Sequence, residues 1–143
     1  MVYKNQKDYP KAIEHFNKCL EIEERVKGKG SIDTASTLNN LGSTFADQGD
    51  FPKAIEHFNQ SLEIHERVKG KGSIDTAAPL INLGSVFVDQ EDYPKAMEHF
   101  NRCLEIQEKI KGKGSIDTAL TLTHIGNVYF KQGDYPKAIE YFS

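Results

Sequence analysis

The sequence predicts an all-α fold, a solenoid of tandem helix-turn-helix units, and three observations carry that expectation. Tyr9-Pro10-Lys11-Ala12 returns as Phe51-Pro52-Lys53-Ala54, Tyr93-Pro94-Lys95-Ala96 and Tyr135-Pro136-Lys137-Ala138, each copy 42 residues after the last. A fixed period of about 20–50 residues marks stacked units, none of which can bury its apolar face alone. Inside each period the apolar residues recur three and four apart, the spacing of one helical face. The third observation is punctuation. KGKGSIDTA stands at 27–35, again at 69–77 and again at 111–119.

Residues 1–7 read as the tail of a first helix, and the second helix of that unit is expected over about 9–28. First helices are then expected at 33–48, 75–90 and 117–132, and second helices at 51–70 and 93–112. In the first of these, Ala35, Leu38, Leu41 and Phe45 build one face, Asp33 is read as the N-cap and Gly49 as a left-handed stop. Asp50 then caps the next helix, with Pro52 in the first turn, where a missing N–H costs nothing. That second helix carries Phe51, Ala54, Ile55, Phe58, Leu62, Ile64 and Val68, a face broad enough to need cover on two sides. Glu63–Arg67, Glu21–Arg25 and Glu105–Lys109 are surface pairs of about 0.2–0.5 kcal/mol each. Residues 135–143 begin one more second helix. The chain is thus one array: a partial unit at 1–30, units at 31–72 and 73–114, and a unit at 115–143 with a shortened second helix.

These units resemble the tetratricopeptide repeat. Leu41, Gly42, Phe45, Ala54, Phe58 and Ser61 match that family's small-and-aromatic pattern, as do Leu83, Gly84, Phe87, Ala96, Phe100 and Cys103, then Ile125, Gly126, Tyr129, Ala138 and Phe142. The usual unit has about 34 residues. The 42-residue form, with TLNNLG in its first helix, is similar to kinesin-light-chain repeats. The resemblance implies a right-handed α-solenoid whose first helices line a concave, peptide-binding groove. Mapped onto this chain, the groove positions are Asn39, Asn40, Ser43 and Asp47, then Ile81, Asn82, Ser85 and Asp89, then Thr123, His124, Asn127 and Lys131. In the kinesin-light-chain pattern the second asparagine of LNNL holds peptide backbone, a role that transfers to Asn40 and Asn82, whereas His124 departs from it. A carboxylate-clamp mode is not expected, since the groove offers Lys131 against Asp47 and Asp89.

Composition excludes other classes. A net charge of −3 provides no bulk attraction for nucleic acid or anionic lipid. No apolar run approaches the roughly 20 residues of a membrane helix, and MVYKNQKDYP lacks a secretory core, so a cytoplasmic setting is expected. KGKGS lacks the strand context and the spacing of a phosphate loop; Gly28 and Gly30 read as helix stops, although the repeated lysines could bind anions weakly. His15, His57 and His99 fall one repeat apart, about 10 Å or more, too far to share a metal. Cys19 and Cys103 stand where Ser61 stands, which points to size and not to thiol chemistry. No cofactor, metal or catalytic group is expected.

The expected function is a non-enzymatic scaffold for a protein or peptide ligand. The alternatives are a self-associating array or a regulatory segment of a larger protein. Residues 2–16 nearly repeat 128–142, so the chain begins and ends in the same phase, as a piece of a longer array would, and head-to-tail association through uncapped ends is the sharper form of the second class.

Overall fold

A computed structural model describes residues 8–142, so the expected helical tail at 1–7 lies outside the described residues. Seven α-helices occur among them: α1 (Tyr9–Lys27), α2 (Ile32–Gln48), α3 (Phe51–Lys69), α4 (Ala77–Asp89), α5 (Tyr93–Lys111), α6 (Ile116–Lys131) and α7 (Tyr135–Phe142). No strand occurs among the described residues. The chain forms two compact units that divide between Lys71 and Gly72. In the first, α2 packs against α1 and α3; in the second, α5 packs against α4 and α6, and α6 against α7.

KGKGSIDTA is a stop, a turn and a start. Gly28, Gly70 and Gly112 adopt φ of 93°, 97° and 89° with ψ near 155°, a region open essentially to glycine alone. The N-cap of α2 is Ser31, not Asp33 as the sequence suggested: the Thr34 amide donates to Ser31 Oγ at 3.2 Å, and Ser115 caps α6 in the same way. Asp33 sits one step inside the helix, where the exposed amides favour a carboxylate. It pairs there with Lys27 at 2.6 Å, as Asp117 pairs with Lys111 at 3.1 Å. That hydrogen bond and charge raise the Lys27 pKa. The outer two links thus neutralise their first lysine internally, and their role is structural. The expected Asp50 cap is present, with the Lys53 amide 3.3 Å from its carboxylate, and Asp92 and Asp134 repeat it.

Each first helix meets its own second helix across a glycine. A Cβ on Gly42, Gly84 or Gly126 would lie 2.6, 2.5 or 2.7 Å from the ring of Phe58, Phe100 or Phe142. A layer of polar and aromatic contacts closes the hairpins. Phe45 packs on His57 with ring centroids 5.1 Å apart, and Lys53 lies over the same ring. Phe87, His99 and Lys95 repeat the arrangement, with Tyr129, Tyr141 and Lys137 in the last hairpin. His57 and His99 donate Nδ1–H to the carbonyls of Lys53 and Lys95, so both are packing residues. Ser61 donates to the Ala35 carbonyl at 2.8 Å, and the Cys103 thiol points at Ala77 in the same manner. Between hairpins, Thr37 donates to Glu23 at 2.7 Å in the first unit and Thr121 to Gln107 at 2.6 Å in the second.

Pro79 explains why α4 is shorter than expected. Its ring displaces the carbonyl four residues back and it has no N–H, so the α-helix starts at Ala77, and Ile74–Thr76 form a 3₁₀ turn instead. At the other end Glu91 occupies the left-handed position with φ of 61°, where the neighbouring repeats place Gly49 and Gly133. Left-handed backbone costs a residue with a Cβ about 1–2 kcal/mol. Glu91→Gly should therefore stabilise the second unit by about 1 kcal/mol after the extra unfolded-state entropy of glycine is subtracted. Urea midpoints of the two proteins measure this, and an unchanged or lower midpoint would contradict it.

Candidate functional site

The face of each first helix turned away from its hairpin partner is where the expected groove residues fall. In the first unit α2 carries Asn39 and Ser43, both half-buried, and Asn40 and Asp47, both exposed. In the second unit two first helices, α4 and α6, touch each other. On α4, Ile81, Asn82 and Ser85 are half-buried and Asp89 is exposed; on α6, Thr123, Asn127 and Lys131 are exposed. The buried side of α4 is Ala77, Pro79, Leu80, Leu83, Gly84, Val86 and Phe87, so the polar row and the core occupy opposite sides of the helix.

His124 is set apart from this row. Its imidazole stacks on the buried ring of Phe100, with centroids 5.2 Å apart and planes 12° apart, and burial pushes its pKa down. At that register the earlier repeats carry the amides of Asn40 and Asn82, and the last carries this stacked imidazole.

The sequence reading did not single out two exposed apolar residues of α6. Leu120 and Phe130 lie on the same side of α6 as Thr123 and Asn127 and are 57% and 56% exposed. The signal was present in the repeat itself, since Leu120 stands where Ser36 and Ala78 stand, and Phe130 where Ala46 and Val88 stand. Phe130 meets Tyr135 edge to face at 5.4 Å.

A separate cleft of about 460 Å³ lies within the first unit, floored by Leu20, Leu38 and Ile64. Its rim mixes Glu24 and Glu63 with Lys29 and Arg67, so it presents no single sign of charge. Cys103 is fully buried, and that burial raises its thiol pKa, which makes it a poor nucleophile. No cluster of metal-ligating side chains occurs among the described residues. No helix among them is long and apolar enough to cross a membrane.

The tetratricopeptide repeat family model matches residues 1–67, 43–109 and 75–143. The chain belongs to the tetratricopeptide repeat family. Its fold class is all-α, built of TPR-like hairpins of the solenoid type. Among solved structures, BtubC (BKLC) from P. vanneervenii is similar at a TM-score of 0.86 and 27% identity, over 98% of this chain and 56% of that one. The apo form of RapI is similar at 0.81 and 26% identity, over 99% of this chain and 49% of that one. TPR-like repeats of a Podosopora anserina kinesin light chain share the fold at 0.83 and 15% identity, over 98% of this chain and 66% of that one. This TPR chain therefore spans about half the length of the first two. No curated protein matches the sequence.

Proposed function

We propose that this TPR protein is a non-enzymatic scaffold in the cytoplasm that binds a protein or peptide ligand along the outer face of its first helices. The observation that carries the reading is the pairing of α4 and α6. Asn82, Ser85 and Asp89 on α4 and Thr123, Asn127 and Lys131 on α6 are polar groups that the hairpin core does not bury. Asparagine offers a donor and an acceptor together, which suits the alternating N–H and C=O of an extended backbone. In the first unit Asn39, Asn40, Ser43 and Asp47 give α2 the same character.

Selection of a random peptide display library against the intact chain tests this. Enriched peptides should bind the intact chain and lose about tenfold or more in affinity to the Asn40→Ala/Asn82→Ala variant. Enrichment of nothing, or binding indifferent to both asparagines, would defeat the reading. The competing possibility is a structural, head-to-tail array. A molecular mass that climbs with concentration in light scattering, unchanged in the asparagine variant, would favour it.

A further inference from the structure

The nine letters KGKGSIDTA make three links of identical sequence, all within the described residues, so any difference between them comes from their surroundings. The outer two are tied down in the same three ways. Ser31 and Ser115 cap an α-helix, accepting from the amides of Thr34 and Thr118 at 3.2 and 3.1 Å. The hydroxyls of those threonines lie 3.4 Å from the Gly28 carbonyl and 2.9 Å from the Lys113 carbonyl, back across the turn. Lys27–Asp33 and Lys111–Asp117 close each loop from outside. The middle link, 69–77, is held differently. Its Thr76 amide donates to the Ser73 carbonyl three residues back, where Ala35 and Ala119 donate to a carbonyl four back. Ser73 Oγ accepts from the Asp75 amide of this 3₁₀ turn, so α4 starts at Thr76 with no side-chain cap. The Thr76 hydroxyl stays on the Ser73 carbonyl at 2.7 Å. Among the described residues the outer ion pairs have no counterpart between Lys69 and Asp75, both of which are exposed.

The cause lies outside the repeated letters. At the register of Pro79 the neighbouring repeats carry Thr37 and Thr121, residues of α2 and α6 whose amides can serve the carbonyls of Asp33 and Asp117 four places back. Pro79 has no N–H to offer Asp75, and its ring crowds that carbonyl. One proline thus removes the first α-helical turn and, with it, the ties that depend on that turn. We propose that the middle link is a conformational joint: it opens while α3 and α4 stay folded, and there a lysine-directed endoprotease cuts the native chain. Water adds across the Lys71–Gly72 peptide bond, leaving a carboxylate on Lys71 and an amine on Gly72. Lys69, Gly70, Lys71 and Gly72 are all exposed, and local opening supplies the unfolded backbone on which proteolysis acts. Cleavage follows the population of the open form when reclosing is fast. A hydrogen bond of ordinary net strength is worth roughly fivefold in that population. The middle link lacks two: the amide bond at Pro79 and the reach of the threonine hydroxyl across the turn.

Limited digestion of the full chain with trypsin, read by mass spectrometry, contains its own control, because the enzyme meets the same letters at all three links. Cuts after Lys69 or Lys71 should form about tenfold or more faster than cuts after Lys27, Lys29, Lys111 or Lys113. Pro79→Thr, which restores the residue of the neighbouring repeats, should slow the middle cuts to the rate of the others. Thr121→Pro should speed the cuts after Lys111 and Lys113. Hydrogen exchange on the parent protein separates a joint from general unfolding: amides of 74–78 should exchange quickly while those in the middle of α3 and α4 stay protected. Equal rates at the three links, first cuts at an outer link, a middle link indifferent to Pro79→Thr, or exchange as fast in the middle of α4 as in the link would overturn the proposal.

Discussion

Replacing Gly84 with alanine should destabilise the second unit by about 1 kcal/mol, although alanine is the better helix former. Two opposing effects set the sign. Removing glycine from a helix interior gains about 1 kcal/mol in propensity. Against it, the new methyl would stand 2.5, 2.8 and 2.8 Å from three atoms of the Phe100 ring. The ring cannot swing aside easily, being 1% exposed and stacked on His124. Overpacking of this kind costs about 1–3 kcal/mol, so repulsion outweighs propensity. Because the two side chains share one space, the costs should not add: Gly84→Ala/Phe100→Leu should recover part of the loss. Urea denaturation followed by far-UV circular dichroism measures all three proteins. A Gly84→Ala protein as stable as the parent would mean that the helices move apart freely, contrary to the packing described.

The glycines at 42, 84 and 126 and the phenylalanines at 58, 100 and 142 were legible as pattern positions because repetition displays them three times with the same spacing; that they touch required the structure. The helix boundaries were legible for the same reason, except where one repeat breaks the common pattern. Ser31 and Asp33 are both good caps, and the choice depends on which oxygen reaches the Thr34 amide, a question of geometry and not of residue type. Pro79 and Glu91 are single departures at the two ends of α4, and each changes local backbone without disturbing the hairpin. The candidate polar row was drawn from resemblance to a family. Its apolar neighbours were not, since a Leu or Phe at helical spacing reads as core until the side covered by the partner helix is known. His124 departs from the asparagine of the earlier repeats, and which neighbour holds its ring, Phe100, was not legible from the sequence.

Truncating Phe100 to alanine should have the largest effect, because one buried ring serves two neighbours. It fills the space over Gly84, it is 1% exposed, and it forms the shelf beneath His124. Loss of a buried phenylalanine costs about 3–5 kcal/mol, and the upper part of that range applies where the site cannot collapse, as between two helices already in contact at a glycine. A second consequence concerns pH. Burial lowers the His124 pKa from its ordinary 6.5, so the folded chain favours the neutral imidazole. As pH falls below about 6.5 the unfolded chain takes up that proton before the folded one does. The contribution of His124 to stability is thus complete above that pH and is lost on acidification. Nuclear magnetic resonance titration of the imidazole should give a pKa below 6.5 in the parent protein and one closer to it in Phe100→Ala, recorded at low temperature or in a stabilising osmolyte if the variant is marginal. His124→Asn, which restores the residue of the earlier repeats, should lose less stability than the parent between about pH 7.5 and 5.5. A His124 that titrates normally in the parent, or a parent and His124→Asn with parallel pH profiles, would show that the stacked imidazole is freely hydrated and that Phe100 does not shield it.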